Sequence, residues 1–129
     1  MAKTALEMSI QEWQAYHPST TSERLARQAE TQTEKRWQEA WRVARRAAKL
    51  LRRNFGASRV VVFGSLAHRA WFTPWSDIDL AAWGIPADRF YSAVAAVTGL
   101  SSDFKVDLVD PEDCRPSLRQ TLDRERIEL

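Results

Sequence analysis

From Thr21 onward, apolar residues recur in steps of three and four, at Leu25, Ala29, Trp37, Ala40, Trp41, Ala44, Ala48, Leu51 and Phe55 for most of the stretch. That spacing predicts one long amphipathic helix, which Gly56 is placed to stop. At 1.5 Å per residue a helix from Thr21 to Asn54 would be ~50 Å long, more than a domain of this size is wide. It is therefore expected either to break near Thr31–Thr33 or to project its N-terminal half. A short helix, Ile10–Tyr16, is expected before it, because Pro18 forbids helical geometry at His17. Ser9 with Glu12 and Thr20 with Glu23 have the capping-box spacing that starts both helices.

The period changes after Gly56. Arg59-Val60-Val61-Val62-Phe63 is β-branched and apolar, the pattern of a buried strand, and Gly64-Ser65 ends it. A loop or short helix over Leu66–Ser76 leads to Asp77-Ile78-Asp79-Leu80-Ala81-Ala82, which alternates strictly. Pro86 opens a helix that Gly99 closes, with Phe90, Val94 and Val97 on one face. Phe104-Lys105-Val106-Asp107-Leu108-Val109 alternates again, and Pro116 opens a last helix towards Glu125. The expected fold class is α+β: a small mixed sheet with helices on one side, preceded by a helical extension. Residues 1–55 would form that extension and residues 56–129 the domain.

Strand alternation decides which side chains share a face. Ile78, Leu80 and Ala82 point one way; Asp77, Asp79 and Ala81 point the other. In the next alternating strand Lys105, Asp107 and Val109 oppose Phe104, Val106 and Leu108. If the two strands are neighbours, Asp77, Asp79 and Asp107 converge on the open face. Three carboxylates so placed repel one another, and a cation is what compensates them together. Oxygen ligands without His or Cys favour Mg²⁺ or Mn²⁺ over zinc. The competing reading is a solvated sheet face, common for any single Asp. It weakens for a pair at i, i+2 with a third Asp in the next strand, because Asp is depleted in strands. The Gly64-Ser65 turn supplies backbone N–H groups and a hydroxyl that suit a phosphate beside such a metal.

Composition narrows the alternatives. The chain has 129 residues, enough for one compact domain. A single cysteine, Cys114, excludes a disulfide framework and a Cys-based zinc site. No apolar run approaches the ~20 residues that span a bilayer, and residues 1–15 lack a signal-peptide core, so a cytoplasmic protein is expected. The net charge of +2 conceals a segregation. Residues 1–55 hold eleven basic and six acidic residues, residues 56–129 eight and eleven. Arg42, Arg45, Arg46, Lys49, Arg52 and Arg53 form a stretch without an acid, either a solvated helix face or a surface for RNA, an acidic protein or nucleotide phosphates. Of six tryptophans, Trp37 and Trp41 share the apolar stripe as packing or interface residues. Trp71 and Trp75 are expected to anchor the loop before Asp77, although one could stack on a nucleobase. Trp13 could anchor a partner, and His68 near the acids is read as a surface residue before a general acid.

Val62-Phe63-Gly64-Ser65, then eleven residues, then Asp77-Ile78-Asp79-Leu80, and later Lys105-Val106-Asp107-Leu108-Val109, resembles the nucleotidyltransferase superfamily of DNA polymerase β type. It is most similar to the minimal nucleotidyltransferases (MNT), over about Arg59–Leu129. The resemblance implies transfer of a nucleoside monophosphate from an NTP to a hydroxyl, with release of pyrophosphate. It implies that Asp77, Asp79 and Asp107 hold two Mg²⁺ ions, with Asp107 placed to accept the nucleophile's proton. Gly64 and Ser65, with Arg69, would bind the nucleotide. Many minimal members follow Gly-Ser with Arg-x-Arg-Gly; here Leu66-Ala67-His68-Arg69-Ala70 lacks the first arginine and the glycine.

Many such domains act as antitoxins of a HEPN-domain RNase toxin by attaching AMP to a tyrosine. The expected function is therefore Mg²⁺-dependent AMP transfer from ATP to a hydroxyl of a HEPN toxin. A chain of this length is not expected to hold an acceptor-binding domain of its own, which agrees with an acceptor that is itself a protein. Two alternatives stand beside it. One is a binding module that blocks a toxin or binds RNA through its basic helix; the other transfers nucleotides to a small molecule. Self-association of the long helix into a homo-oligomer is left open.

Overall fold

The computed structural model describes residues 20–129, with side chains from Ser22. The expected helix Ile10–Tyr16, with Trp13 and His17, lies outside the described residues. Four helical and strand segments match the periodicity closely. Helix α1 spans Thr20–Phe55, strand β1 Arg59–Phe63, strand β2 Ile78–Trp83 and helix α2 Ala87–Thr98. Strand β3 (Val106–Val109), helix α3 (Pro116–Glu125) and a two-residue strand β4 (Ile127–Glu128) follow.

Helix α1 does not break at its threonines. Thr31 turns its hydroxyl back onto the Arg27 carbonyl at 2.8 Å, which satisfies the side chain within the helix. Two compact units divide the chain, residues 1–35 and Arg36–Leu129. The second unit therefore begins within α1, where the sequence suggested a boundary after residue 55. The reason is packing: Ala40, Val43, Ala44, Ala47, Ala48, Leu51 and Phe55 are buried in the same core as the sheet. Four alanines on that face let the helix backbone approach the strands closely. The helix ends at Gly56, whose φ of +75° suits a residue without a Cβ.

The sheet has the order β3-β2-β1-β4. β1 pairs antiparallel with both β2 and β4, whereas β2 and β3 run parallel, so the sheet is mixed as expected. One face carries Val60, Val62, Ile78, Leu80, Ala82, Val106 and Leu108 under α1 from Arg36 and under α2, through Ala93 and Val97. The other face carries Val61, Phe63 and Ala81, and Leu122 of α3 closes over them. The face expected to be open is thus covered along part of its length by the last helix. Phe104 precedes β3 as a buried residue, and Arg36 lays its guanidinium 4.2 Å from that ring's centroid. Among the described residues, no helix is long and apolar enough to cross a membrane.

Candidate active site

The parallel pairing of β2 and β3 places Asp79 directly beside Asp107, one step after Ile78 beside Val106. On its other side Asp79 pairs with Phe63, the last residue of β1. Gly64 follows at once with φ +72°, turning the chain back across the Asp79 side chain. A Cβ at Gly64 would stand 2.5 Å from Asp79 Oδ2, closer than any two such atoms can sit. The Gly-Ser turn and the second aspartate of Asp-x-Asp are therefore one structure. Glycine is required there twice over, by dihedral angle and by space.

Asp77 lies one residue ahead of β2, and the Ile78 N–H donates to the Lys105 carbonyl at 2.9 Å, tying that point to the approach of β3. The loop leading to Asp77 is fastened locally. The Thr73 N–H donates to Ser76 Oγ at 2.8 Å, and the Trp75 N–H to Thr73 Oγ1 at 3.3 Å. All three aspartates are half-buried. Burial, then the charges of Asp107 and Asp77, push the Asp79 carboxyl up from 3.8 to about 6, while Lys105 pulls it down. Lys105 Nζ stands 3.9 Å from Asp107 Oδ1. Sequence reasoning gave Lys105 no role, although alternation already set it on the Asp107 face.

The three expected acids thus share one electrostatic environment, with Asp79 at its centre. Among the described residues, no three His, Cys, Asp or Glu side chains are gathered at metal-ligand spacing. Asp79 and Asp107 form the adjacent pair, and Asp77 acts on it through its charge.

After Gly64 the chain makes two short 3-10 turns, Gly64–Ala67 and Arg69–Trp71. The Ser65 carbonyl accepts the His68 N–H at 3.2 Å, and Leu66 is buried as the first turn's anchor. Arg69, expected at the phosphates, holds its guanidinium 5.2 Å from the Trp37 ring centroid, and so it docks the loop onto α1. His68 is not a plain surface residue. Its ring stacks on Trp71 at 4.1 Å between centroids, and its Nε2 lies 3.6 Å from Glu125 Oε2 of α3. The expectation that Trp71 and Trp75 anchor this loop fails: they are 56% and 86% exposed, while Phe72 is 5% exposed. Phe72 is the anchor, because Pro74 and the Thr73–Ser76 hydrogen bonds turn the chain so that the residues on either side face outward.

No family model matches the chain, and no curated protein does. Solved structures do. A chain of a toxin–antitoxin complex with AMP-PNP is 25% identical, with a TM-score of 0.52, covering 63% of this chain and 67% of that one. A chain of a mutant MntA–HpeT toxin–antitoxin complex is 26% identical, with a TM-score of 0.53, over 66% and 69%. A complex of tri-AMPylated Shewanella oneidensis HEPN toxin with MNT antitoxin is 22% identical, at a TM-score of 0.51, over 69% and 70%. The mixed sheet with its N-terminal helix is thus the nucleotidyltransferase fold of these assemblies. The likeness suggested by Gly-Ser, Asp-x-Asp and a third Asp is the likeness found.

Proposed function

We propose that this chain, which has the fold of the MNT antitoxins, transfers AMP from ATP to a tyrosine hydroxyl of a partner HEPN toxin and thereby neutralises it. One observation carries the reading: Asp79 and Asp107 lie side by side in register, with the Gly64 turn closing directly on Asp79. The AMP-PNP in one similar complex and the AMPylated toxin in another support nucleotide as substrate and protein as acceptor.

The donor set fits a hard divalent cation. Asp79 and Asp107 offer carboxylate oxygens side by side, and burial together with the charges of Asp107 and Asp77 holds Asp79 at about 6. Asp77, Asp79 and Asp107 are the residues that would hold Mg²⁺, which when bound supplies charge neutralisation at the phosphates and a more acidic attacking hydroxyl. The Gly64–Ser65 amides and the Ser65 hydroxyl orient the outer phosphates of ATP. The acceptor oxygen attacks the α-phosphorus while the bond to the bridging oxygen of the β-phosphate breaks, so pyrophosphate departs. Asp107 receives the acceptor's proton. Lys105 places a positive charge beside that carboxylate. Arg69 serves the site through the loop, which it fastens to α1, rather than through the phosphates.

Neutralisation of a HEPN toxin in cells separates this reading from a blocking module. Wild type restores growth in either case, so the Asp79→Asn variant decides. An enzyme loses protection with that single substitution although the folded protein is still made. A blocker retains it, and retention would overturn the proposal.

A further inference from the structure

The six cations of α1 between Arg42 and Arg53 are all exposed or half-exposed. At about 100° per residue they fall within about a third of the helix circumference, one cation or pair per turn. Arg42 pairs with Glu39 at 2.6 Å, and Arg52 donates to the Leu129 carbonyl. Arg46, Lys49 and Arg53 have no acidic partner among the described residues. Two grooves meet along the edge of this face and share Arg45. One, of about 400 Å³, is lined by Trp37, Trp41, Arg42 and Arg45; the other, of about 470 Å³, by Lys49, Arg52, Arg53 and the Leu129 end. The indole N–H groups of Trp37 and Trp41 are buried without a hydrogen-bond partner among the described residues.

The aromatic residues beside this face, Trp37 and Trp41, are half-buried. Among the described residues the large exposed apolar side chains are Leu25, Trp71, Trp75, Tyr91 and Ile127, all outside Arg36–Phe55. A protein interface draws its affinity from such anchors. A charged strand needs instead what is present, a cation at each helical turn of about 5.4 Å with a groove lined by arginines alongside. We propose that the Arg42–Arg53 face of α1 binds a nucleic-acid strand through its phosphates, with the Trp37–Trp41 groove receiving a base or phosphate at one end. This surface uses none of the aspartates, so it stands or falls independently of the transfer reaction.

The test is fluorescence anisotropy of the full chain with a labelled, unstructured single-stranded RNA, a single-stranded DNA of the same sequence, and polyglutamate. Binding to a strand should weaken roughly a hundredfold between about 50 and 200 mM salt, as expected for about five phosphate contacts. The triple variant Arg46→Gln, Lys49→Gln, Arg53→Gln should lower the slope of log affinity against log salt by about 2, at about 0.7 per lost contact. The charge-conserving Arg46→Lys, Arg53→Lys variant should keep the slope. Circular dichroism of each variant checks that the fold persists, and Asp79→Asn should bind the strand like wild type. The RNA and DNA arms identify which strand is preferred. Absence of binding at about 50 mM salt, an unchanged slope in a folded triple variant, or equal binding of polyglutamate would each overturn the proposal.

Discussion

Gly64 and Asp79 show how much of the site rests on single atoms. A methyl group at Gly64 would meet Asp79 Oδ2 at 2.5 Å on a backbone with φ +72°. Gly64→Ala should therefore cost about 1–2 kcal/mol of stability from the left-handed backbone alone. It should also abolish transfer, since the carboxylate must move; thermal melting and a transfer assay on the same sample read both effects. Asp79 itself works against the fold. Its carboxyl is held at about 6, against 3.8 for a free aspartate. Between pH 4 and 6 the folded state retains a proton that the unfolded chain has released, so this group's contribution to stability falls as pH rises through that window. Asp79→Asn should raise stability at pH 7.5 by roughly 1 kcal/mol, less than the full shift would give because solvent screens this partly exposed group, and the gain should vanish near pH 4. Added Mg²⁺ should raise the melting temperature of wild type and leave Asp79→Asn unmoved, because stabilisation by a ligand requires its site in the native state. A melt that is indifferent to both pH and Mg²⁺ in wild type would contradict this role of Asp79.

At the scale of elements, the decisive contact is that of α3 with the aspartate-bearing face. Leu122 is 2% exposed against Val61, Phe63 and Ala81. Leu122→Ala should cost about 2–5 kcal/mol in denaturant unfolding. In the loop, Phe72→Ala should cost about 3–5 kcal/mol, whereas Trp75→Ala should stay within about 0.5 kcal/mol. β2 and β3 were legible because their apolar and polar residues alternate, and β1 because its β-branched apolar run ends at Gly64-Ser65; alternation puts Asp79 and Asp107 on one face once the two strands are neighbours. Their parallel register was not legible, since alternation says nothing about direction. The face chosen by α3 was hidden for a related reason: Leu118 and Leu122 mark a stripe but not its destination. β4 has two residues, too few to form a pattern. Trp71 and Trp75 misled because hydrophobicity is only a tendency to be buried, whereas Trp37 and Trp41 pack against the core as their place on the apolar stripe implied. The 5.2 Å approach of Arg69 to the Trp37 ring centroid was hidden too, because the motif's spacing says nothing of α1.

Across the whole molecule, charge and chemistry are divided between two surfaces. The basic residues Arg42–Arg53 of α1 face outward on one helix, while Asp79 and Asp107 stand side by side on β2 and β3 with Asp77 just ahead of β2. The proposed transfer site and the cationic helix face therefore use different residues. The most direct measurement on the first incubates the purified protein with Mg²⁺, a lysate of its host, and ATP labelled at the α-phosphate. A γ-labelled parallel and the Asp79→Asn variant run beside it. AMP transfer predicts a labelled protein band that requires the α-label, is absent with the γ-label and disappears in Asp79→Asn, with mass spectrometry placing AMP on a tyrosine. Label that persists in Asp79→Asn, that comes from the γ-phosphate, or that never appears on protein would contradict it.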